Sequence, residues 1–419
     1  MDFSFEYTTE QEEFAEEFRD WLDKNVPADM KPVRDAQKMS YEQFQIRRAF
    51  ARLLGAKGWL YPSSPREYGG GGLSGDLDAV IREELAERSM ALPIVTDWTT
   101  LAAPGIMACA TEEQKRRFLT PMLRGEAMTW QLMTEPEAGT DEANQQTNAL
   151  RVERDGDHFI INGQKIFVGG VFPPPEQFYL LARSSKEAPR HQNLSSFICS
   201  GTLPGISIQP LDLFPLTTFG GVCGPTGATA EAVKNSIFFD DVRIHESCLI
   251  GEEGDGWNVT MATFAVEHGG RSSGPRRRGG GGNPRNRMIE KFLAHCRDNE
   301  HIAGRLRENP QLLDSVASVY IGERIERALS IRNAGGLGGA YGGPQSTWLS
   351  KMFGARAIAD MAKVLGPYSL IDEDEEQWLL DDGQLEIGQR CGICLAPGGT
   401  PEAMKIIMSR ALSIGRQAT

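Results

Sequence analysis

The sequence predicts an α+β fold in which a β domain stands between two helical domains. Three observations support this order: helical periodicity up to about residue 125, alternation of apolar and polar residues from about residue 149, and helical periodicity again after residue 254. We therefore expect an N-terminal α domain at 1–128, a central antiparallel β barrel or sandwich at 129–246, and a C-terminal helical bundle at 247–419.

The first predicted helix covers residues 9–25. Phe14, Phe18 and Leu22 recur there at helical spacing, which indicates one buried face. Thr9 is followed three residues later by Glu12, and this spacing predicts a capping box at the helix start. Similar helical patterning continues as far as Gly125, which favours an all-α domain.

The central region shows two dipeptides that are typical of hairpin turns, Asp155-Gly156 and Asn162-Gly163. Strand-length segments follow in the order QFYLLARS, LSSFICSG, GISIQPLDL and NSIFFDDVRI. Their short length and the turn residues between them predict an antiparallel barrel or sandwich.

The composition is that of a globular protein, and because the N-terminal MDFSFEYTTEQEEF has neither a positive nor an apolar segment we expect no secretory signal. The chain has 419 residues, of which 40% are hydrophobic and 24% are charged. Its net charge of −13 argues against general binding of nucleic acids or anionic membranes. No apolar run reaches the ~18 residues that a membrane span needs, and the seven cysteines are scattered, so we expect a cytoplasmic protein with reduced thiols.

A C-x-x-C pair at Cys391 and Cys394 has the spacing of two zinc ligands. A zinc site needs further ligands at suitable spacing, and none lies near in sequence. We therefore expect two reduced thiols and no metal site.

Residues 134–141 read TEPEAGTD and stand at the junction between the first helical region and the β region. Pro136 fixes φ and has no amide donor, whereas Gly139 permits positive φ, so the segment turns sharply. Backbone amides in such a loop need water or a bound ligand as a partner.

This loop, with NGQKIFVGG at 162–170 and FFDDVRIHESCLIGEEGDGW at the second junction, resembles the acyl-CoA dehydrogenase flavoprotein family. The resemblance covers nearly the whole chain. It implies bound FAD, an acyl-CoA substrate, α,β-dehydrogenation with hydride transfer to flavin N5, and electron-transfer flavoprotein or a similar protein as acceptor.

The resemblance also implies which residues meet the ligands. Flavin contacts are expected at the junction loop, at the NGQKIFVGG segment and near the C-terminus: Gln131, Met133, Thr134, Gly139, Thr140, Phe167, Val168, Gly169 and Thr400. Substrate contacts are expected at Thr140, His268 and Gly399. Gly169 departs from the family pattern, because relatives place a hydroxyl side chain there.

The catalytic base departs from the commonest family position. Many relatives carry a glutamate in a Tyr-Glu-Gly-Thr motif, and Gly398 stands at that position here. Other members carry the glutamate on the first helix of the C-terminal domain, and Glu267 in FAVEHGGR matches that context, with His268 in place of the usual Arg. We therefore predict Glu267 as the base that removes the α-proton. The space freed at Gly398 favours a bulky or branched acyl chain.

Two C-terminal motifs that complete a neighbour's flavin site in homotetrameric relatives are missing from the aligned stretches. A chain that has the flavin segments of the β domain but lacks these two motifs resembles a subunit of the α2β2 acyl-CoA dehydrogenases of steroid side-chain catabolism. It implies a homologous partner subunit, with a homo-oligomer as the alternative.

Two other functions fit the same resemblance: a non-catalytic partner subunit of a heteromeric acyl-CoA dehydrogenase, and a flavin monooxygenase of this fold. The presence of Glu267 argues against a non-catalytic subunit. A flavin monooxygenase would not require Glu267. The arginine- and glycine-rich stretch at 271–287 is expected to be a flexible solvated loop, ahead of a contact with coenzyme A and of DNA binding.

Overall fold

The computed structural model describes residues 7–30, 40–88, 102–139, 141–143, 150–211, 234–269 and 296–334, together with residues 293 and 409. Within these ranges a mixed β-sheet follows a set of N-terminal helices and precedes a second set of helices. The predicted order of α, β and α elements is therefore found in the described chain. The domain boundaries at residues 128 and 246 remain predictions.

The N-terminal region consists of short and medium-length helices. They are α1 (Thr9–Asn25), α2 (Tyr41–Ala56), α3 (Gly75–Glu87), α4 (102–109), α5 (Glu112–Gln114) and α6 (Thr120–Leu123), with a π-helical turn at Lys115–Leu119 between the last two.

The capping box of α1 lies one residue earlier than predicted. The Thr8 hydroxyl accepts from the Gln11 backbone N–H at 3.3 Å, and the Gln11 side chain accepts from the Thr8 N–H at 2.8 Å. The predicted pair of Thr9 and Glu12 was wrong because Thr8 offers the same cap with Gln11 as its partner. Phe18 is fully buried, as predicted, and meets the Trp59 ring edge-on at 5.3 Å.

One sheet of eight strands forms the middle of the described chain. The strands are β1 (Thr129–Leu132), β2 (Arg151–Asp155), β3 (His158–Gly169), β4 (Gln177–Arg183), β5 (Leu194–Ser200), β6 (Ile206–Leu211), β7 (Lys234–His245) and β8 (Leu249–Ile250). Their order is β6-β7-β3-β2-β4-β5-β8, and β1 pairs with β4.

The predicted barrel is not confirmed, because over the described residues the sheet is open, with β6 and β8 at the ends of its strand order. The sheet is also mixed, since both β1 and β2 run parallel to β4. Hairpin signals report only the pairing of neighbouring strands, so the sequence could not show these two parallel contacts.

Of the two predicted hairpin turns, one is confirmed and one was wrong. Asp155-Gly156 connects β2 to β3, with Asp155 paired to His158 and Gly156 at φ +64°. Asn162-Gly163 lies within β3 instead, opposite an extra residue of β7 between Phe239 and Val242. The Asn162 side chain accepts from the Asp241 N–H at 2.9 Å. It therefore stabilises the bulge of β7 and does not form a turn.

The helices that follow the sheet include α7 (Gly256–Gly269), α8 (Glu300–Glu308) and α9 (Pro310–Ala334). The rest of the predicted C-terminal bundle lies outside the described residues. Where the structure is described, none of the helices combines the length and the apolar character that crossing a membrane requires.

The hydrophobic core joins the sheet to the N-terminal helices. Trp130 of β1, Phe178 of β4 and Phe197 of β5 are fully buried in the same cluster as Leu119 and Met122. Because β1 crosses this core, the loop that follows it starts from a rigid base.

Candidate functional site

The segment after β1 makes a tight turn. Glu135 and Ala138 exchange two backbone hydrogen bonds of 3.3 and 3.1 Å, and Pro136 and Glu137 form the exposed tip. Gly139 follows at the surface. The proline and glycine thus give the sharp turn that the sequence predicts, on the end of a buried strand.

A bulge in β3 lies beside this turn. Lys165 pairs with Ile237 and Val168 pairs with Asn235, so β3 has one extra residue at this point. Phe167 takes a φ of +57° and is 49% exposed, whereas Val168 is buried. A bulky residue at positive φ costs of order 1–3 kcal/mol, and such residues cluster at functional sites.

One hydrogen bond connects the bulge to the turn. The backbone N–H of Ile166 donates to the carbonyl of Thr134 at 3.0 Å. The two segments therefore lie side by side, although about thirty residues separate them in sequence.

A buried ion pair lies beneath the same segments. Lys165 Nζ is 2.8 Å from Glu135 Oε1 and donates to the Met133 carbonyl at 2.8 Å. Glu135 Oε1 also accepts from the Leu150 N–H at 2.8 Å. Burial lowers the pKa of Lys165, and the charges of Glu135 and Glu142 oppose that shift.

Two polar atoms of β1 are buried without a partner. Among the described residues, neither Trp130 Nε1 nor Gln131 Oε1 has a hydrogen-bond partner. A buried polar atom without a partner is costly, so such atoms often indicate a bound group or a water.

Helix α7 is attached to the sheet by a group of hydroxyl side chains. The Ser196 hydroxyl of β5 donates to the carbonyl of Gly256, the first residue of α7, at 3.2 Å, and the Thr260 hydroxyl donates to the same carbonyl from within the helix at 2.9 Å. The Tyr179 hydroxyl lies 3.3 Å from Thr263 Oγ1. Burial raises the pKa of Tyr179 to about 12.

Helix α4 meets α7 and β4 at Gly105. A Cβ at this position would lie 2.7 Å from Thr263 Oγ1, 2.9 Å from the Val259 carbonyl oxygen and 3.1 Å from the Tyr179 hydroxyl. Three parts of the chain are therefore in contact at one point. Glu267 belongs to α7 and follows Thr263 by one helical turn, so the two residues share a face of the helix.

The comparison with family models assigns two consecutive regions of the chain. Residues 8–126 match the N-terminal domain of acyl-CoA dehydrogenases, and residues 131–216 match the middle domain. The chain carries the N-terminal and middle domains of the acyl-CoA dehydrogenase family. The resemblance that the sequence motifs indicate is confirmed.

Two proteins that are similar to this chain come from Mycobacterium tuberculosis H37Rv. The acyl-CoA dehydrogenase IpdE1 is 33% identical over 62% of this chain and 63% of its own length. The acyl-CoA dehydrogenase FadE29 is 32% identical over 60% of this chain and 59% of its own length. The chain thus spans about three fifths of the length of these curated relatives.

Solved structures of the same fold extend the likeness over the whole chain. The Tcur3481–Tcur3483 steroid acyl-CoA dehydrogenase has a TM-score of 0.69 and 26% identity and covers 100% of both chains. The ChsE4–ChsE5 complex from Mycobacterium tuberculosis has a TM-score of 0.71 and 25% identity, also covering 100% of both chains. Both support the predicted likeness to the steroid-type subgroup.

Acyl-CoA dehydrogenases use FAD as their cofactor. The match to this family therefore confirms the predicted cofactor. The described residues fit such a group, because Gln131 Oε1 is a buried acceptor without a partner on the strand that leads into the turn. The exposed ring of Phe167 beside the turn offers an aromatic surface.

The structure brings five of the predicted flavin residues close together in the fold. Gln131, Met133 and Thr134 lie at the end of β1, and Phe167 and Val168 lie in the adjoining bulge. Gly169 ends β3, and Gly139 lies at the far end of the turn. The contacts themselves remain predictions.

Other predicted site residues lie outside the described structure. Thr140, Gly399 and Thr400 are among them, as are Cys391 and the loop at 271–287. For Glu267 and His268 the structure describes the backbone in α7 and not the side chains.

Three residues of the site were missed from sequence: Lys165, Tyr179 and Gly105. Lys165 lies an even number of residues after Phe159 and Ile161 in β3, so all three side chains are on the same face of the strand. Phe159 and Ile161 are both buried, and alternation alone therefore places Lys165 inward. No sequence signal indicates that Tyr179 meets Thr263, because 84 residues separate them.

Proposed function

We propose that this chain is an FAD-dependent acyl-CoA dehydrogenase that introduces a double bond between the α and β carbons of a bulky or branched acyl-CoA. The hydrogen bond between Ile166 and Thr134 supports this most directly. It joins the two segments that the family uses to hold the flavin.

Glu267 is the proposed base. Its carboxylate takes the α-proton of the thioester, while the β-hydrogen leaves with its bonding electrons and the carbon–carbon double bond forms. Bound FAD supplies the two-electron oxidant that accepts this hydride. Helix α7 is hydrogen-bonded to the sheet at Gly256 by Ser196 and at Thr263 by Tyr179, so Glu267, one turn after Thr263, belongs to a helix whose backbone is fixed against the sheet.

A bulky or branched acyl group is proposed for two reasons. Gly398 leaves room where many relatives carry a glutamate side chain. One solved structure with the same fold, that of Tcur3481–Tcur3483, is named a steroid acyl-CoA dehydrogenase. Thr140, His268 and Gly399 are the proposed substrate contacts.

The proposed assembly is a heteromer with a homologous chain, and the proposed acceptor is electron-transfer flavoprotein or a similar protein. The ChsE4–ChsE5 and Tcur3481–Tcur3483 structures each name two different proteins in one complex. This supports an α2β2 arrangement over a homo-oligomer.

Replacing Glu267 tests the assignment of the base. We expect Glu267→Gln to slow the anaerobic bleaching of flavin absorbance by acyl-CoA roughly 10²–10⁴-fold, the usual contribution of a positioned base. The panel of thioesters should include short, branched and steroid-derived acyl groups. Glu153→Gln, the same change at an exposed position of β2, is the matched control.

The same experiment separates the catalytic proposal from a non-catalytic partner subunit, which Gly398 favours. A purely structural subunit tolerates Glu267→Gln, so an unchanged bleaching rate in the complex with its homologous partner would overturn the assignment. Bleaching by none of the thioesters in the wild-type complex would contradict the proposed activity itself.

A further inference from the structure

The ion pair of Lys165 and Glu135 is buried. Its side chains are 0% and 1% exposed, whereas those of the pair of Lys115 and Glu112 are 16% and 62% exposed. Burying two charges is unfavourable unless hydrogen bonds compensate for the lost water. A methionine at position 165 would fill similar space without that cost, so packing alone does not account for a lysine.

The hydrogen bonds of the pair hold three separate parts of the chain. Lys165 belongs to β3 and contacts both the carbonyl of Met133 and the carboxylate of Glu135. The same carboxylate oxygen accepts from the N–H of Leu150, at the start of β2. The start of the turn after β1 is therefore held both to β3 and to the residue that precedes β2 by one buried contact.

The direction of these bonds determines how the turn presents its backbone. The carbonyl of Met133 and the N–H of Thr134 belong to one trans peptide unit, in which the two groups point in opposite directions. Because the Met133 carbonyl points at the buried Lys165, the Thr134 N–H points away from it. A hydrogen bond from a charged donor also polarises that peptide, which makes its N–H a stronger donor.

We propose that Lys165 and Glu135 are a positioning pair that orients and polarises the Met133–Thr134 peptide toward the bound flavin. This inference rests on the proposed flavin site. Neither side chain touches the cofactor, and both act through the backbone of the turn. The Ile166 N–H, which holds the next carbonyl along the turn, completes the arrangement.

The test compares Lys165→Met, Glu135→Gln and the double variant in the complex with the homologous partner. Three quantities are measured: the dissociation constant of FAD, the visible absorption spectrum of the bound flavin, and the urea midpoint of the apoprotein. We expect at least a tenfold weaker FAD affinity and a shifted visible band in all three variants. The double variant removes both charges together, so we expect its urea midpoint to return toward the wild-type value.

The ion pair of Lys115 and Glu112 provides the matched control. It lies at the protein surface in the N-terminal helices, and Lys115→Met with Glu112→Gln should leave FAD affinity and spectrum unchanged. A double variant of Lys165 and Glu135 that binds FAD with wild-type affinity and spectrum would overturn the inference. Wild-type protein that binds no FAD would instead contradict the proposed function.

Discussion

At the scale of single residues, the notable feature is the number of polar groups buried beside the proposed site. Lys165, Glu135 and the Tyr179 hydroxyl are all shielded from solvent and hydrogen-bonded. Buried polar groups are tolerated only when their partners are in place, so they restrict the chain to few arrangements. Here they restrict the turn after β1 and the start of α7.

The Tyr179 hydroxyl leads to a prediction about alkaline pH. Burial raises its pKa to about 12, whereas an unfolded tyrosine titrates near 10. The neutral form is therefore favoured in the folded protein, and its contribution is complete below about pH 10 and is lost as the pH rises toward 12. Over that range the wild type should lose about 2–3 kcal/mol of unfolding free energy through this group.

Tyr179→Phe removes the titrating group and keeps the ring. Urea unfolding between pH 9 and 11 should show a shallower loss of stability with pH in the variant than in the wild type. Buried cysteines lower alkaline stability in both proteins, since burial also raises the pKa of Cys248. Parallel curves for the two proteins would show that Tyr179 ionises in the folded state as readily as in water.

At the scale of elements, the contact of α4 with α7 depends on the absence of a side chain at Gly105. Gly105→Ala would place a methyl group within 3 Å of both Thr263 Oγ1 and the Val259 carbonyl. Since the second atom belongs to the backbone, one helix must move. We expect a loss of about 1–3 kcal/mol in unfolding free energy, and slower substrate-dependent flavin bleaching because α7 carries Glu267.

Gly304→Ala is the control for this substitution. Gly304 lies inside α8, and nothing would lie within 4 Å of its added Cβ. An alanine in a helix is favoured over glycine by about 1 kcal/mol, so this variant should be slightly more stable than the wild type. A Gly105→Ala variant that also gains stability in urea would show that α4 and α7 do not pack this closely.

The two Asx-Gly dipeptides show which parts of the sheet can be predicted from sequence and which cannot. The hairpin at Asp155-Gly156 was predicted because its turn residues and strands are neighbours in sequence. Asn162-Gly163 carries the same signal and yet lies inside β3, because β7 pairs with both sides of it and bulges opposite to it. That partner strand is nearly eighty residues away in sequence. Lys165 could have been placed inward by alternation, but its bond to Glu135 depends on the path of the turn.

At the scale of the whole molecule, the segments that we propose to contact the flavin and the substrate are attached to a common core. The turn after β1, the β3 bulge and the beginning of α7 are all anchored to one core. The C-terminal stretches, in contrast, lack the two motifs with which homotetrameric relatives complete a neighbour's site. A second chain that supplies those motifs is the simplest way to close the flavin site.

This reasoning predicts the flavin content of the purified protein. The chain expressed alone should retain well under one FAD per chain, because the contacts that a neighbour supplies are missing. Co-expression with its homologous partner should give a complex with one FAD per heterodimer, measured by absorbance after denaturation, with its mass determined by light scattering. A homo-oligomer of this chain with one tightly held FAD per subunit would contradict the heteromeric assembly and leave the dehydrogenase proposal intact.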